Sequence, residues 1–73
     1  MRDRAAATIQ VNGMDESLSG STIAALLEDR EIGANTRGIA VALNGAVVPR
    51  AAWQQTALSA GDRVEIVRVL QGG

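Results

Sequence analysis

The central stretch of the 73-residue chain is IAVALNGAVVP, Ile39–Pro49. Two apolar runs flank Asn44-Gly45, and Asn-Gly is the pair favoured where both central turn positions need a positive φ. Proline lacks the N–H that a central strand donates, so Pro49 ends the second run. The stretch therefore predicts a β-hairpin whose second strand is short or lies at a sheet edge.

The same turn signal occurs near the start of the chain. Thr8–Val11 alternates polar and apolar residues, and Asn12-Gly13 follows it. The return strand is predicted over about Met14–Leu18, where Asp15-Glu16 is poor strand material and indicates a short, edge-like piece. A second β-hairpin is therefore predicted ahead of the central one.

A helix is predicted between the two hairpins. Apolar residues at positions i, i+3 and i+4, starting at Ile23, give one apolar stripe and predict a helix over about Thr22–Glu31. Ser21 is the predicted N-cap, because its hydroxyl can accept a free backbone N–H of the first turn. Gly33 is predicted to take the left-handed conformation that ends the helix.

The last predicted strand is VEIVRV, Val64–Val69, and both of its faces are partly apolar, as in a strand inside a sheet. Between the hairpin and this strand, residues 50–60 show no clear period and predict a turn-rich connection. One helix covering one face of a mixed sheet is an α+β fold. The predicted core is Ile9, Val11, Leu18, Ile23, Leu26, Leu27, Ile39, Val41, Leu43, Val48, Leu58, Val64 and Ile66.

The composition excludes most catalytic chemistry. The chain has no Cys, His, Tyr or Phe, and all seven of its basic residues are Arg. No thiolate or imidazole nucleophile, Schiff-base lysine or Cys/His zinc site can be built from these side chains. Covalent chemistry would have to use a carboxylate, a hydroxyl or a chain terminus, and we expect no catalytic residue and no metal site.

The net charge and the lack of long apolar runs exclude some classes of binding partner. A net charge of -1 and a pI near 5.1 argue against nucleic acid, which needs clustered positive charge. Apolar runs are only a few residues long, and residues 1–6 lack the apolar run of a signal peptide. We therefore expect a cytoplasmic protein that binds neither nucleic acid nor a membrane.

The C-terminal sequence Leu70-Gln71-Gly72-Gly73 follows the last predicted strand directly. Paired glycines have no Cβ, so such a tail can pass through a narrow channel and present its last carboxyl group to an enzyme. Small-residue tails are also common at frayed chain ends, so the dipeptide alone leaves an inert tail open. The chain has no glycine-rich phosphate loop, and any activation of the carboxylate by ATP must come from another protein.

Several stretches of the chain together carry a family resemblance. They are the opening strand with Asn12-Gly13, the helix TIAALL from Thr22, ALNGAVVPR from Ala42, Trp53, Thr56, Leu58, GDRVEIV from Gly61, and the closing Gln71-Gly72-Gly73. This combined pattern resembles the ThiS family of sulfur carriers in thiamine biosynthesis. The resemblance covers most of the chain, and residues 1–6 stand outside it as an N-terminal extension.

The resemblance implies a ubiquitin-like β-grasp domain over residues 7–69 and a flexible tail over 70–73. It implies that Gly73 is the modified residue, adenylated by a ThiF-type enzyme that uses ATP and Mg²⁺, and converted to a thiocarboxylate. A sulfur donor protein and a ThiG-type thiazole synthase are the further partners it implies. The carrier itself would bind no cofactor and would not be an enzyme.

Other functions fit parts of the pattern. The small subunit of molybdopterin synthase shares the β-grasp fold and the Gly-Gly end, although its members tend to have a proline-containing stretch where this chain has Val67–Gln71. Carriers for other sulfur metabolites, a ubiquitin-like protein modifier and a non-covalent β-grasp binding module are further alternatives. Removing Gly73 would separate the covalent roles from the binding module, because a binding module would keep its partners whereas a carrier or a modifier would lose its function.

The remaining candidates concern surfaces. Val67 and Val69, on the strand beside the tail, are the predicted partner-docking residues. Trp53 is more simply explained by packing than as an interface anchor. The acidic residues Glu28, Asp29 and Glu31 lie beside Arg30 and indicate a solvated helix face rather than a metal site. Four arginines are candidates to meet an acidic surface of a partner enzyme, although scattered surface charge is the simpler explanation of each: Arg37, Arg50, Arg63 and Arg68.

Overall fold

The computed structural model describes residues 7–18, 22–33 and 36–68, which form a five-stranded sheet with one α-helix. The elements are β1 (Thr8–Val11), β2 (Met14–Ser17), α1 (Ile23–Asp29), β3 (Ile39–Leu43), β4 (Ala46–Val48), a 3₁₀ turn (Arg50–Ala52) and β5 (Arg63–Arg68). The predicted α+β class and every predicted strand are confirmed, with β5 starting one residue earlier than expected. The predicted N-terminal extension (residues 1–6) and C-terminal tail (residues 70–73) lie outside the described residues, as do Ser21 and Val69.

The strands are ordered β2-β1-β5-β3-β4 across the sheet. The pairs β1–β2, β3–β4 and β3–β5 are antiparallel, whereas β1 and β5 run parallel. The first and last strands of the chain are thus neighbours at the centre. The central position of β5 and the edge positions of β2 and β4 agree with their sequence patterns.

Both Asn-Gly pairs form the predicted two-residue turns. Asn12 and Gly13 have φ of 52° and 84°, and Asn44 and Gly45 have φ of 51° and 89°. Positive φ at both central positions is the geometry whose twist matches the flanking strands. The hairpins therefore follow from local turn chemistry.

The start of α1 differs from the prediction, and Ser21 is not the N-cap. Thr22 is the N-cap, and its Oγ1 accepts a hydrogen bond from the backbone N–H of Ala25 at 3.1 Å. Thr22 also forms an antiparallel β-bridge with Ala57, which holds its backbone extended, at φ −135° and ψ 168°. An extended residue cannot be the first helical residue, so α1 begins at Ile23 rather than Thr22.

The end of α1 also differs from the prediction, because Glu31 rather than Gly33 takes the left-handed conformation. Glu31 has φ of 63°. The Ile32 N–H donates to the carbonyl oxygen of Leu27, and the Glu31 N–H donates to that of Glu28, both at 2.9 Å. This hydrogen-bond pair is the Schellman motif, which satisfies the last helical carbonyls. The helix therefore ends at Asp29, two residues earlier than predicted.

The core lies between α1 and one face of the sheet. The buried residues are Ile9, Val11, Ile23, Leu26, Leu27, Val41, Trp53, Leu58 and Val64. Trp53 is absent from the predicted core, yet its side chain is only 3% exposed, which confirms packing as its role in the domain. Five residues predicted as core pack against its margin and are only half-buried: Leu18, Ile39, Leu43, Val48 and Ile66.

Candidate functional site

The described part of the candidate site is β5, the strand that leads toward the C-terminus. The predicted site residues Gly73, Gly72, Gln71, Leu70 and Val69 lie outside the described residues. Arg68 ends β5, and Gly73 is the fifth residue after it. The described part of the site therefore consists of β5 and the residues that hold it.

β5 is held along its length by β3. Their antiparallel register runs from Leu43 opposite Val64 to Ile39 opposite Arg68. On its other side β5 pairs with β1 at only two positions, Gln10 with Arg63 and Val11 with Val64. Val64 is 1% exposed, so the first half of the strand is anchored in the core.

Asn12 continues the contact where β1 turns away. The Ile66 N–H donates to Asn12 Oδ1 at 2.8 Å, and Asn12 Nδ2 donates to the Ile66 carbonyl oxygen at 3.1 Å. The backbone N–H of Asn12 donates to the carbonyl oxygen of Val64 at 2.9 Å. One turn residue thus binds two alternate residues of β5, of which Ile66 is 54 positions away in sequence.

Asn44 binds the opposite end of β5. The Arg63 N–H donates to Asn44 Oδ1 at 2.9 Å, and the Asn44 N–H donates to the Arg63 carbonyl oxygen at 2.7 Å. Asn44 Nδ2 donates to Asp62 Oδ1 at 3.0 Å, while Asp62 Oδ2 accepts from the Ser59 N–H at 2.8 Å. The two hairpin turns therefore hold β5 at different points. The local sequence predicts only a turn role for both asparagines, because nothing near either one indicates its distant partner.

The sheet face opposite α1 carries an apolar patch. Side chains of directly paired residues lie on the same face, and β3 alternates buried Val41 with Ala40 and Ala42. Ala40 is paired with Val67 and Ala42 with Val47, so all four lie on the outer face. Val67 and Val47 are 53% and 77% exposed. We call Ala40, Ala42, Val47 and Val67 the outer-face patch.

The predicted docking residue Val67 is thus exposed beside the end of β5. The small alanines make the centre of the outer-face patch flat, and Val67 and Val47 lie at its diagonal corners. Glu65 and Arg63 share this face and are exposed, so charges border the patch on one side. The arrangement suits a protein surface better than a small molecule, because it offers a flat apolar area rather than a cavity.

The four arginines considered in the sequence as rim charges or scattered surface charge are not brought together. Arg63 lies on the outer face, and Arg68 pairs with Ile39 and so points to the face that carries α1. Arg50 stacks on the Trp53 ring, with its guanidinium carbon 4.5 Å from the ring centre. Arg37 is exposed in the bend before β3. The scattered arrangement favours ordinary surface charge over one basic docking site.

The helix side has a shallow groove between α1 and the 3₁₀ turn. Its lining includes Leu27, Ile32 and Trp53, with Glu28 and Arg50 as its charged groups. Over residues 7–18, 22–33 and 36–68 there is no group of three or more His, Cys, Asp or Glu able to hold a metal ion. No helix in that part of the chain is long and apolar enough to cross a membrane.

Comparison with a family model gives a match to the ThiS family over residues 6–73. Two solved structures of a thiamine biosynthesis protein from Geobacter metallireducens are similar to this chain. The crystal structure, of the protein described as ThiS, has a TM-score of 0.75 and 30% identity, covering 90% of this chain and 99% of that one. The solution NMR structure has a TM-score of 0.70 and 29% identity, covering 90% and 87%.

A curated relative is a thiazole synthase of Paramagnetospirillum magneticum. It is 39% identical over 64 residues, which are 86% of this chain and 19% of that protein. The chain thus spans about a fifth of the length of the curated relative it matches. The solved structures also share the mixed sheet with one helix, so the β-grasp architecture predicted from the sequence is confirmed.

Proposed function

Because the chain belongs to the ThiS family of sulfur carriers in thiamine biosynthesis, we propose that Gly73 carries the sulfur as a terminal thiocarboxylate. The sequence supports this assignment by elimination. It has no cysteine that could hold a persulfide and no histidine or lysine that could act as a catalyst. The carrier therefore supplies only the reacting carboxyl group, and the catalysts are its partners.

The first step in this proposal activates the carboxylate. An oxygen of the Gly73 carboxylate attacks the α-phosphorus of ATP, and pyrophosphate leaves with the electrons of the broken P–O bond. A ThiF-type adenylating enzyme supplies the Mg²⁺ and the phosphate-binding groups that such a transfer needs. The product is an acyl adenylate, whose AMP group is a good leaving group.

The second step installs the sulfur. A sulfur nucleophile at the oxidation level of sulfide, delivered by a sulfur donor protein, attacks the acyl carbon, and AMP leaves. The carbonyl group is regenerated and a thiocarboxylate remains on Gly73. Gly72 allows the tail to enter a narrow active-site channel, because a residue without Cβ takes up little space there.

The acceptor in this proposal is a ThiG-type thiazole synthase. The supporting observation is the thiazole synthase that shares 39% identity with this chain over a fifth of its own length. That protein is named a thiazole synthase, and a segment of it resembles this chain, which supports a thiazole synthase as the partner. We infer that the present chain delivers its sulfur to an enzyme of the same kind.

The outer-face patch is the docking surface in this proposal. Val67 lies one residue before the end of β5, so an enzyme bound to the patch is close to where the chain continues toward Gly73. A flat apolar patch bordered by charges is typical of a transient protein interface. Val69, the second predicted docking residue, and the cytoplasmic location both stay predictions.

The decisive experiment is the intact mass of the protein after incubation with an adenylating enzyme of its host, Mg-ATP and sulfide. We expect a gain equal to the replacement of one oxygen by sulfur, and no gain for a variant that lacks Gly73. An unchanged mass with an enzyme that is active on another carrier would contradict the proposal. Covalent adducts with lysines of other proteins would instead favour a protein modifier.

A further inference from the structure

We propose that Asn12 is a positioning residue for the chemistry at Gly73, because its side-chain amide holds the second half of β5 in the sheet. The inference rests on the proposed function, in which β5 leads to the reacting carboxylate. Asn12 is far from Gly73 in sequence and contributes nothing to the chemical steps. Its role is to keep the strand from which the chain continues in one place while a partner enzyme binds.

The first observation is that β5 is paired unequally on its two sides. β3 accompanies it as far as Arg68, but β1 accompanies it only as far as Val64. β1 cannot continue, because Asn12 has φ of 52° and turns the chain toward β2. Beyond Val64, the edge of β5 that faces β1 would therefore have no neighbouring strand.

The second observation is that the Asn12 side chain replaces the missing strand residue. A carboxamide carries one acceptor oxygen and an N–H donor, the same groups as a peptide unit. Its Oδ1 and Nδ2 meet the Ile66 N–H and carbonyl oxygen at 2.8 and 3.1 Å, which are ordinary hydrogen-bond lengths. The parallel pairing is thus extended by one residue without any further strand.

The third observation is that, apart from its pairing with β3, this half of the strand has few buried contacts. Val64 is buried, whereas Ile66 is half-buried and both Val67 and Arg68 are exposed. Segments with few buried contacts open locally without global unfolding. Loss of the Asn12 amide is therefore expected to release the end of β5 while the core stays folded.

A released strand end would affect the reaction through docking. Residues that are free in solution must be ordered when the enzyme binds, and each ordered residue carries a conformational-entropy penalty. The penalty raises the KM for the carrier. It leaves kcat close to the normal value, because the docked carrier places the same carboxylate in the same active site.

Asn44 provides a matched control within the same chain. It occupies the same position of the same type of turn, with φ of 51° before Gly45, and its side chain also binds β5. Its contacts are with Asp62 and Arg63, at the start of the strand rather than near its end. The variants Asn12→Gly and Asn44→Gly both keep a residue that tolerates positive φ, and they differ in which end of β5 loses its side-chain bonds.

The test compares the full-length wild type with these two variants, at a temperature below the thermal unfolding midpoint of each. Amide hydrogen exchange is measured at Ile66 and Val64, and thiocarboxylate formation is followed by intact mass with the adenylating enzyme, Mg-ATP and sulfide. For Asn12→Gly we expect faster exchange at Ile66 but not at Val64, and a KM raised about fivefold or more. For Asn44→Gly we expect a KM within about twofold of the wild type.

Equal KM values for the two glycine variants, or unchanged exchange at Ile66 in Asn12→Gly, would overturn the inference. If Asn12→Gly does not fold, Asn12→Asp keeps the acceptor for the Ile66 N–H and removes the donor, and we expect a smaller change in the same direction. A wild-type chain that never gains sulfur would refute the proposed function instead. The exchange measurement would still decide whether Asn12 holds β5.

Discussion

The indole N–H of Trp53 donates to the carbonyl oxygen of Val48 at 3.0 Å. Val48 is the last residue of β4, so this bond joins the connection before β5 to the end of the central hairpin. The backbone carbonyl of Trp53 in turn accepts from the Ala24 N–H in α1 at 3.1 Å. The chain's single aromatic residue thus ties together the hairpin, the helix and the connection.

Replacing Trp53 should therefore be among the most destabilising single changes. We expect Trp53→Phe to lower the free energy of unfolding by about 1–3 kcal/mol, because the half-buried Val48 carbonyl loses its donor and the smaller ring fills less of the core. Trp53→Ala should cost about 3–5 kcal/mol, since it also leaves a cavity. Urea unfolding followed by circular dichroism measures both. The exposed neighbour variant Gln54→Ala is the control, and a Trp53→Phe midpoint equal to the wild type would contradict the role of the bond.

Glu31, the left-handed residue at the end of α1, can be replaced to make the protein more stable. Glu31→Gly should raise the free energy of unfolding by about 1 kcal/mol, because glycine adopts a φ of 63° without the steric cost of a Cβ. The matched change within the helix, Glu28→Gly, should lower it by about the same amount. Thermal unfolding distinguishes the signs, and a loss of stability in Glu31→Gly would show that the Glu31 side chain matters more than its backbone conformation.

Gly33 is predicted to tolerate a side chain, contrary to the expectation from the sequence. Its φ is not positive, and among the described residues a Cβ built there would meet only Thr36 Oγ1, at 3.8 Å. Gly33→Ala should therefore leave stability unchanged or raise it by up to about 1 kcal/mol through the unfolded chain. Gly45→Ala, at a φ of 89°, is the contrasting variant and should destabilise. Similar losses in both variants would mean that Gly33 is needed for its conformation after all.

Val67→Glu should weaken docking to the adenylating enzyme without affecting folding. A charge that becomes buried when the outer-face patch docks is expected to raise the KM for the carrier about tenfold. The unfolding free energy should change by less than about 0.5 kcal/mol, because Val67 is exposed in the free chain. Met14→Glu is the control, because Met14 is 70% exposed but lies on β2, at the far edge of the sheet. Equal effects on KM from both variants would point to net charge rather than to the patch.

Local patterns predicted the strands well and the helix ends poorly. The two Asn-Gly turns each act through the φ angles of adjacent residues, so they can be recognised in any context. The N-cap was predicted one residue early, because the bridge between Thr22 and Ala57 cannot be seen from residues near Thr22. The left-handed residue was placed at Gly33 because glycine is the common choice, whereas the closing hydrogen bonds to Leu27 and Glu28 require it at Glu31.

The candidate site was likewise only partly predictable from the sequence. The proposed role of Gly73 and the exposure suggested for Val67 are predictions from the sequence, through the terminal Gly-Gly, the family resemblance and the alternation along β5. The outer-face patch was not predicted, because Ala40, Ala42 and Val47 join Val67 only when β3 pairs with both β4 and β5. The positioning role of Asn12 was missed for the same reason.

The sequence by itself determined the two hairpins, the order of the elements and the lack of cysteine, histidine and lysine side chains. These properties depend on residue types and on interactions across a few positions. Only the tertiary structure decided that β5 lies between β1 and β3, that Trp53 closes the core and that Asn12 binds Ile66. Those contacts join residues tens of positions apart, and they form only when packing of the apolar faces offsets the entropy lost in closing such long loops.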